Sequence, residues 1–450
     1  MTQLEEALAR FDKLIHSPAY QDLAWAHALQ EQMAAQQLLP GGRAICPVLR
    51  PHLLTRRQYD SLQKTTAVLS AVMDRVSEQA LANPALLARL QLLPAERMLA
   101  SVNHTHGRAA ATSVSASVAL SDHAITGVSA DPPDSVVYTE PLGDLFHDSA
   151  PMKELRKRYK FTRSKTVKKL LQSILSAYKG QGKKKFPCIG VVEFRQSVKA
   201  APSTEALLLA ERFRASGYPA EVVMPEQLEY RNGELRRGDF IIDIVYRRVS
   251  AQELLVRADL NHPLLRAYRE HAICMVNSFR SEIVGKLSVL ALLSDDTVVG
   301  SFPAAERKLL RQHVPWTRFM ANGKTSHGEE QIDLAEWVAR NRETLILRPL
   351  DFGSDQHNFD GAELDQNMWE RAVKTALRSR FVVQEKTEGV RVSFPVFQFG
   401  QLESRDFRVS VQPALFGGKM DSVSATVEDA TSAFSLLNGV TPAFILEGSA

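Results

Sequence analysis

Apolar residues recur along this chain with two different periods, and the change of period divides it. Leu62, Leu69, Val72, Val76 and Ala80 return at steps close to whole helical turns, which predicts one long helix with a single buried face. After Pro84, Leu86, Leu87, Leu90 and Leu93 mark a second helix, and residues 1–110 are read as mainly helical. The period then falls to two. Val114, Ala116, Val118 and Leu120 alternate mostly with serine, as a half-buried strand does. Ser121, Asp122 and His123 supply a turn, Ile125 to Ala130 return as its partner, and Pro132, Pro133 and Asp134 close the hairpin.

From Cys188 short apolar runs alternate with helical stretches, the mark of an α/β unit. Ile189 to Phe194 reads as a buried strand, Thr204 to Ser216 as a helix capped by Gly217, and Ala220 to Met224 as the next strand. Asn232-Gly233 accepts the positive φ angles of a tight hairpin turn. Phe240 to Tyr246 ends in Arg247 and Arg248, and Ile273 to Val276 delivers Asn277, Ser278 and Arg280 into a loop. Polar and cationic residues just past strand ends are where open α/β sheets bind ligands. Thr344 to Leu347 is a further strand, followed by Arg348-Pro349, a loop from Asp351 to His357, and a helix through Trp369 to Leu377. Phe381 to Glu385 is the next strand, and alternation from Val390 onward predicts antiparallel sheet up to Leu446.

Length and composition narrow the class. A chain of 450 residues calls for two or three packed units, and 44% hydrophobic with 24% charged residues is ordinary for a globular protein. A net charge of +4 is too small at this size to predict a polyanionic partner. The thirteen Lys or Arg between 153 and 185, set against Glu154, are interleaved with few aromatics and are read as a solvated helix face plus a loop. The start of the chain mixes Glu5, Glu6, Arg10, Asp12 and Lys13 with apolar residues, unlike a secretory leader, and no apolar run has membrane-spanning length. Cys46, Cys188 and Cys274 lie far apart with no CxxC pair, so a reducing, cytoplasmic setting is expected. His104 and His106 lack a third ligand nearby and are not taken as a metal site.

Two blocks carry a family likeness. One is Asp243-Ile-Val-Tyr-Arg-Arg248, His262-Pro-Leu-Leu-Arg-Ala-Tyr-Arg269 and Val276-Asn-Ser-Phe-Arg-Ser-Glu-Ile283. The other is Leu345-Ile-Leu-Arg-Pro349, a glycine-containing loop, Trp369-Glu370, Val382-Val-Gln-Glu385 and Leu415-Phe-Gly-Gly-Lys419. In this order they resemble the circularly permuted ATP-grasp proteins, the group that includes glutathionylspermidine-synthase-like carboxylate–amine ligases. The resemblance implies an α/β, circularly permuted ATP-grasp fold with a mainly helical N-terminal segment. Residues 111–150 are then a hairpin and connector packing on the ATP-grasp sheet, and 151–187 a basic helical linker. Residues 188–320 are a substrate domain, and 321–450 the nucleotide-binding lobes.

In that family ATP phosphorylates a carboxylate and an amine then attacks the acyl phosphate. The resemblance assigns Val383, Gln384, Glu385 and Lys386 to the hinge that meets the adenine, and Gly353, Ser354 and Asp355 to the phosphate loop. Arg348 stands where the family has a lysine, as a catalytic cation with Arg280. Arg247, Arg248, Asn277, Ser278 and Arg280 are the candidate substrate contacts, suited to a small anionic substrate. The metal positions depart from the pattern. Gly127 and Ser129 fall where a Glu-x-Asn pair belongs, and Ser410 or Val411 where an acid belongs, so Mg²⁺ lacks its carboxylates and no metal ligand is assigned. Asp131, Asp134, Asp406 and Asp421 lie near enough to substitute. The reading adopted is an ATP-grasp relative of these ligases that binds nucleotide with a ligand or a partner protein and has lost its chemistry. An active ligase is the alternative, and neither nucleic acid nor membrane is expected as a partner.

Overall fold

The alternation at 111–118 becomes the strand Ala111–Val118, with Val114, Ala116 and Val118 in the core and Ser113, Ser115 and Ser117 on the opposite face. It turns through a hydrogen bond from the Ala119 N–H to the Asp122 carbonyl (2.9 Å) into His123–Ser129. Leu120, read as the last inward residue of the strand, lies in this turn and is 58% exposed, because the strand ends two residues earlier. The computed structural model describes residues 2–39, 43–102, 109–130, 136–194, 204–350, 357–431, 435 and 437–449. The expected closing residues Pro132, Pro133 and Asp134 lie outside them, as do His104 and His106.

This early hairpin belongs to a sheet built mostly from the end of the chain. The order is His52–Thr55, Gly439–Ser449, Lys419–Asp429, Gln401–Phe416, Ala111–Val118, His123–Ser129. One edge of the long strand Gln401–Phe416 serves two partners. Val390–Gln398 pairs along residues 401–409, and Ala111–Val118 pairs from Val411 onward. Residues 153–185 also contribute, since Tyr159–Thr162 is a strand against Gly439–Ser449, with Phe161 opposite Leu446. Its short alternation is hard to see among the surrounding cations. Of those cations Lys157, Arg158, Arg163, Lys169 and Lys184 are ion-paired with Glu154, Glu6, Asp144, Asp421 and Asp243.

Two smaller sheets flank the large one. Cys274–Val276, Ile244–Arg247, Ile189–Val192 and Ala220–Val223 form a parallel sheet. Thr317–Phe319, Phe381–Glu385, Leu345–Pro349 and Phe359–Asp360 form an antiparallel one, packed around Trp369 of the helix Gln366–Arg378. The predicted long helix is Arg56–Ala82, started by a capping box between Thr55 and Gln58. Leu62, Leu69, Val72, Val76 and Ala80 are all buried on it. No helix among the described residues is long and apolar enough to cross a membrane.

Beside the edge strand His52–Thr55 the core holds two polar side chains. Arg50 lies over the Phe394 ring (4.3 Å) and donates to the carbonyls of Ser393 (2.6 Å) and Pro51 (3.4 Å). His52 is 6% exposed, and neither ring nitrogen has a partner among the described residues. Burial, with the Arg50 charge second, pushes its imidazole down to about 3. A histidine whose folded pKa is depressed binds protons only in the unfolded chain between the two values. Its contribution to stability is therefore complete above about pH 6.5 and is lost as pH falls toward 3. Relative to His52→Leu, the natural chain is expected to lose about 2 kcal/mol more between pH 7 and pH 5, measured by urea unfolding. Parallel acid limbs for the two proteins would refute this.

Candidate functional site

The antiparallel lobe packs on the large sheet through a shared apolar cluster, and beside it Arg348 spans a cleft whose open part is a small recess. From the strand Leu345–Pro349 its guanidinium donates to the Thr126 carbonyl on the hairpin and to Gln384 Oε1 (2.9 Å) on the neighbouring strand. Gln384, 2% exposed, donates in turn to Thr317 Oγ1 (3.1 Å). Gly127 lies beside this contact: a Cβ there would be in ordinary contact with the Arg348 guanidinium at 3.8 Å and with Ser115 Cβ at 3.4 Å. Burial lowers the Arg348 pKa to about 10, so the group stays charged at neutral pH. Among the described residues it has no ion pair. A planar fork can hold two acceptors in different lobes at once, which a lysine ammonium on a shorter stem is poorly built to do.

The sheet face opposite Arg348 is polar but uncharged at its centre. In the strand Gln401–Phe416, Phe407, Val409 and Val411 point into the core, which turns Arg408, Ser410 and Gln412 to the cleft. Of the two residues left open at the acidic position, Ser410 therefore faces the cleft and Val411 is 1% exposed in the core. Ser115 Oγ donates to Gln412 Oε1 (3.0 Å), and Gln412 Nε2 donates to Ser410 Oγ (3.2 Å) and Thr426 Oγ1 (3.5 Å). Thr426 Oγ1 donates to the Ser410 carbonyl (3.3 Å) and Thr126 Oγ1 to the Ser115 carbonyl (3.2 Å). These groups satisfy one another, and none is the anionic oxygen that Mg²⁺ favours.

At the seam where Gln401–Phe416 changes partner there is a recess of about 170 Å³, lined by Ser117, Thr126, Thr387, Gly389, Ser410 and Thr426 and by the charged Arg408 and Glu428. This is below the roughly 300 Å³ at which pockets begin to enclose a whole drug-sized ligand. Glu428 is the carboxylate on its lining, and Asp406 lies exposed on the same strand face as Ser410. Asp421 is paired with Lys169 at 3.4 Å.

The strand Phe381–Glu385, the expected hinge, leads to Thr387 and Gly389 of this recess. The Glu385 N–H donates to the Trp316 carbonyl (2.9 Å) and the Lys386 N–H to the Thr344 carbonyl (2.8 Å), so flanking strands already use both donors. Val383 is fully buried in mid-sheet. Glu385 accepts from His327 Nε2 (2.8 Å), whose ring packs on those of Trp316 and Trp337, themselves in contact, and Lys386 pairs with Asp360 at 2.5 Å. The recess is lined on this side by Thr387 and Gly389, two residues that sequence reasoning left unassigned. Gln412 and Thr126 were also missed, although the alternation of Phe407, Val409 and Val411 gives the phase that exposes Gln412.

The substrate-domain candidates do not gather in this cleft as one cationic group. Arg247, fully buried, pairs with Glu282 at 2.7 Å, donates to the carbonyls of Asn277 (3.1 Å) and Val249 (2.8 Å), and stacks on Phe279. Arg248 is held by Glu193 (3.2 Å) and Glu205 (2.9 Å). Asn277, 2% exposed, accepts from the N–H groups of Ala110 (2.9 Å) and Ala111 (3.1 Å) and donates to the carbonyls of Ala111 and Ala130. Ser278 accepts at its carbonyl from Ser281 Oγ (2.7 Å). Arg280, half-buried, has no ion pair among the described residues, and its Nε is buried without a partner. Gly353, Ser354 and Asp355, with Asp131 and Asp134, lie outside the described residues, and His357 at the loop's end is exposed.

No protein-family model matches the chain, and no curated protein matches it. Among solved structures, it is similar to a glutathione synthetase-like effector of Globodera pallida, at 10% identity and a TM-score of 0.59, over 94% of this chain and 96% of that one. A gamma-glutamylcysteine synthetase-like protein of Methylobacillus flagellatus KT aligns at 10% identity and a TM-score of 0.43, over 87% of each chain. The chain is an α/β protein that shares the fold of this glutathione synthetase-like effector.

Proposed function

We propose that this chain is an ATP-grasp protein in permuted order that binds the base or nucleoside part of a nucleotide between its lobes and does not transfer phosphoryl groups. The observation that carries the reading is the self-satisfied network of Ser115, Ser410, Gln412 and Thr426, set where a metal-binding carboxylate would have to stand. Phosphoryl transfer depends on positioning and on offsetting charge at the phosphate oxygens, and Mg²⁺ supplies much of that. Arg348 is held by two neutral oxygens and can offset part of it alone. The pairing of Ala111–Val118 with Gln401–Phe416, strands far apart in the chain, supports the permuted order. On this reading the ring lies in the seam recess against Thr387–Gly389, and Arg280 remains available to an anionic ligand or a partner protein.

The active-ligase reading keeps one observation in its favour. Glu428 lines the recess and Asp406 faces the same way, so these carboxylates are where a relocated Mg²⁺ site would form. The test is ADP release with Mg²⁺ or Mn²⁺ across amino acids, polyamines and small peptides, beside calorimetric nucleotide binding with and without Mg²⁺. We expect no substrate-dependent ADP and a nucleotide affinity unchanged by Mg²⁺. Turnover at about 1 per second or faster, in the range of ordinary enzymes, would restore the ligase. Its loss in Asp406→Asn or Glu428→Gln would locate the metal.

A further inference from the structure

Away from the cleft, at the far end of the hairpin, Asp122, His123 and His313 offer ligand atoms that all lie within 4.8 Å of one another. They line a pocket of about 190 Å³ with Arg57, Gln58, Ser61 and Gln312. Asp122 and His123 come from the turn of the hairpin, and His313 is the last residue of the helix Ala304–His313. Both histidines are buried, and their rings stack 4.0 Å apart at 9°.

Their hydrogen bonds determine which nitrogens remain. His313 Nδ1 lies 2.8 Å from the His123 carbonyl, which can only accept, so this nitrogen carries the proton and Nε2 carries the lone pair. His123 uses Nε2 on Thr65 Oγ1 (2.9 Å), which leaves Nδ1 without a hydrogen bond among the described residues. A ring nitrogen anchored on a carbonyl or hydroxyl, with its opposite nitrogen free, is the arrangement that orients metal-bound histidines. Asp122 is held as well: its Oδ1 accepts from the His123 N–H (2.8 Å).

We propose that Asp122, His123 and His313 form a binding site for one divalent transition ion of the zinc class, with the fourth position open to the pocket. Two imidazoles and a carboxylate are a zinc-type donor set, and three protein ligands with one open position is a recognised zinc geometry. Bonds of about 2.0–2.2 Å in a tetrahedron place ligand atoms roughly 3.3 Å apart, so the three groups must draw closer together than they stand now, where His313 approaches Asp122 Oδ1 through Nδ1 at 3.4 Å. A lone pair lies in the plane of its ring, and two nearly parallel rings cannot aim at one ion. Ligation therefore turns the stacked rings apart, which re-forms at least one of the hydrogen bonds that now hold them, and the ion joins the hairpin turn to the helix Ala304–His313.

The full chain, carrying no polyhistidine tag, is titrated with Co²⁺ as a spectroscopic probe and then with Zn²⁺. We expect one Co²⁺ per chain with the intense visible bands of a four-coordinate ion, displaced by Zn²⁺, and a melting temperature raised by Zn²⁺. Asp122→Asn keeps the Oδ1 acceptor, removes the charge and lies on an exposed turn, so it should fold and bind at least tenfold more weakly. His313→Gln should remove the visible bands. Absence of four-coordinate bands from the natural chain overturns the proposal. So does their persistence in a folded Asp122→Asn at unchanged affinity, or their loss on replacing His104 and His106 instead.

Discussion

Asn277→Leu is expected to cost at least about 4 kcal/mol and to leave little folded protein at 37 °C. The side chain satisfies four main-chain groups at the ends of the hairpin strands: the N–H groups of Ala110 and Ala111 and the carbonyls of Ala111 and Ala130. Leucine has the same branching but is larger, and it leaves all of them buried without partners, at about 1–3 kcal/mol each. That loss is a large part of the 5–15 kcal/mol by which folded domains are usually stable. Asn277→Asp keeps the acceptor for the two N–H groups but sets a carboxylate against two carbonyls, and it should be destabilised as well. Urea unfolding gives the number, and hydrogen exchange at Ala111 reports whether the hairpin end opens first. An Asn277→Leu protein of natural stability would mean that Asn277 is a ligand contact and not the tie between the parallel sheet and the hairpin.

Arg247→Leu is the second large effect, expected at about 3–5 kcal/mol. Arg247 and Glu282 form a pair at 2.7 Å with side-chain exposures of 0% and 6%. Removing the cation strands a buried carboxylate, whose desolvation is no longer offset. The double replacement Arg247→Leu with Glu282→Leu should recover most of the loss, because an apolar pair of similar volume carries no desolvation penalty. The same variants separate the two roles weighed for Arg247. A structural arginine shows the stability loss and its recovery in the double variant. An anion-binding arginine shows neither, and instead loses affinity for an acidic ligand at unchanged stability.

Parts of the candidate site were legible because they follow from period and phase. The alternation of Phe407, Val409 and Val411 sends Ser410 and Gln412 to the other face whatever that face meets. The strand Phe381–Glu385 could be read as a buried run, and its central place in the antiparallel lobe follows from that burial. The hinge amides could not be read in the same way. Whether the N–H groups of Glu385 and Lys386 reach a ligand depends on Trp316 and Thr344, which no local pattern brings beside them. Arg247 and Arg248 look alike as cations at a strand end, and only their partners Glu282, Glu193 and Glu205 give them structural ties.

What the amino-acid order determined by itself is what local sterics and side-chain periodicity determine: the long helix from Arg56, the serine-lined hairpin, the α/β stretch after Cys188, and the lack of carboxylates at Gly127, Ser129 and Ser410. What only the tertiary structure decided are the meetings of residues remote in sequence. Arg348 reaches Thr126 across the cleft, Asn277 clamps Ala110, Ala111 and Ala130, and His313 stacks on His123. The reason is physical. A helix or strand face is set by neighbours a few residues away, whereas a buried polar group is satisfied by whatever the packed core places within about 3 Å of it.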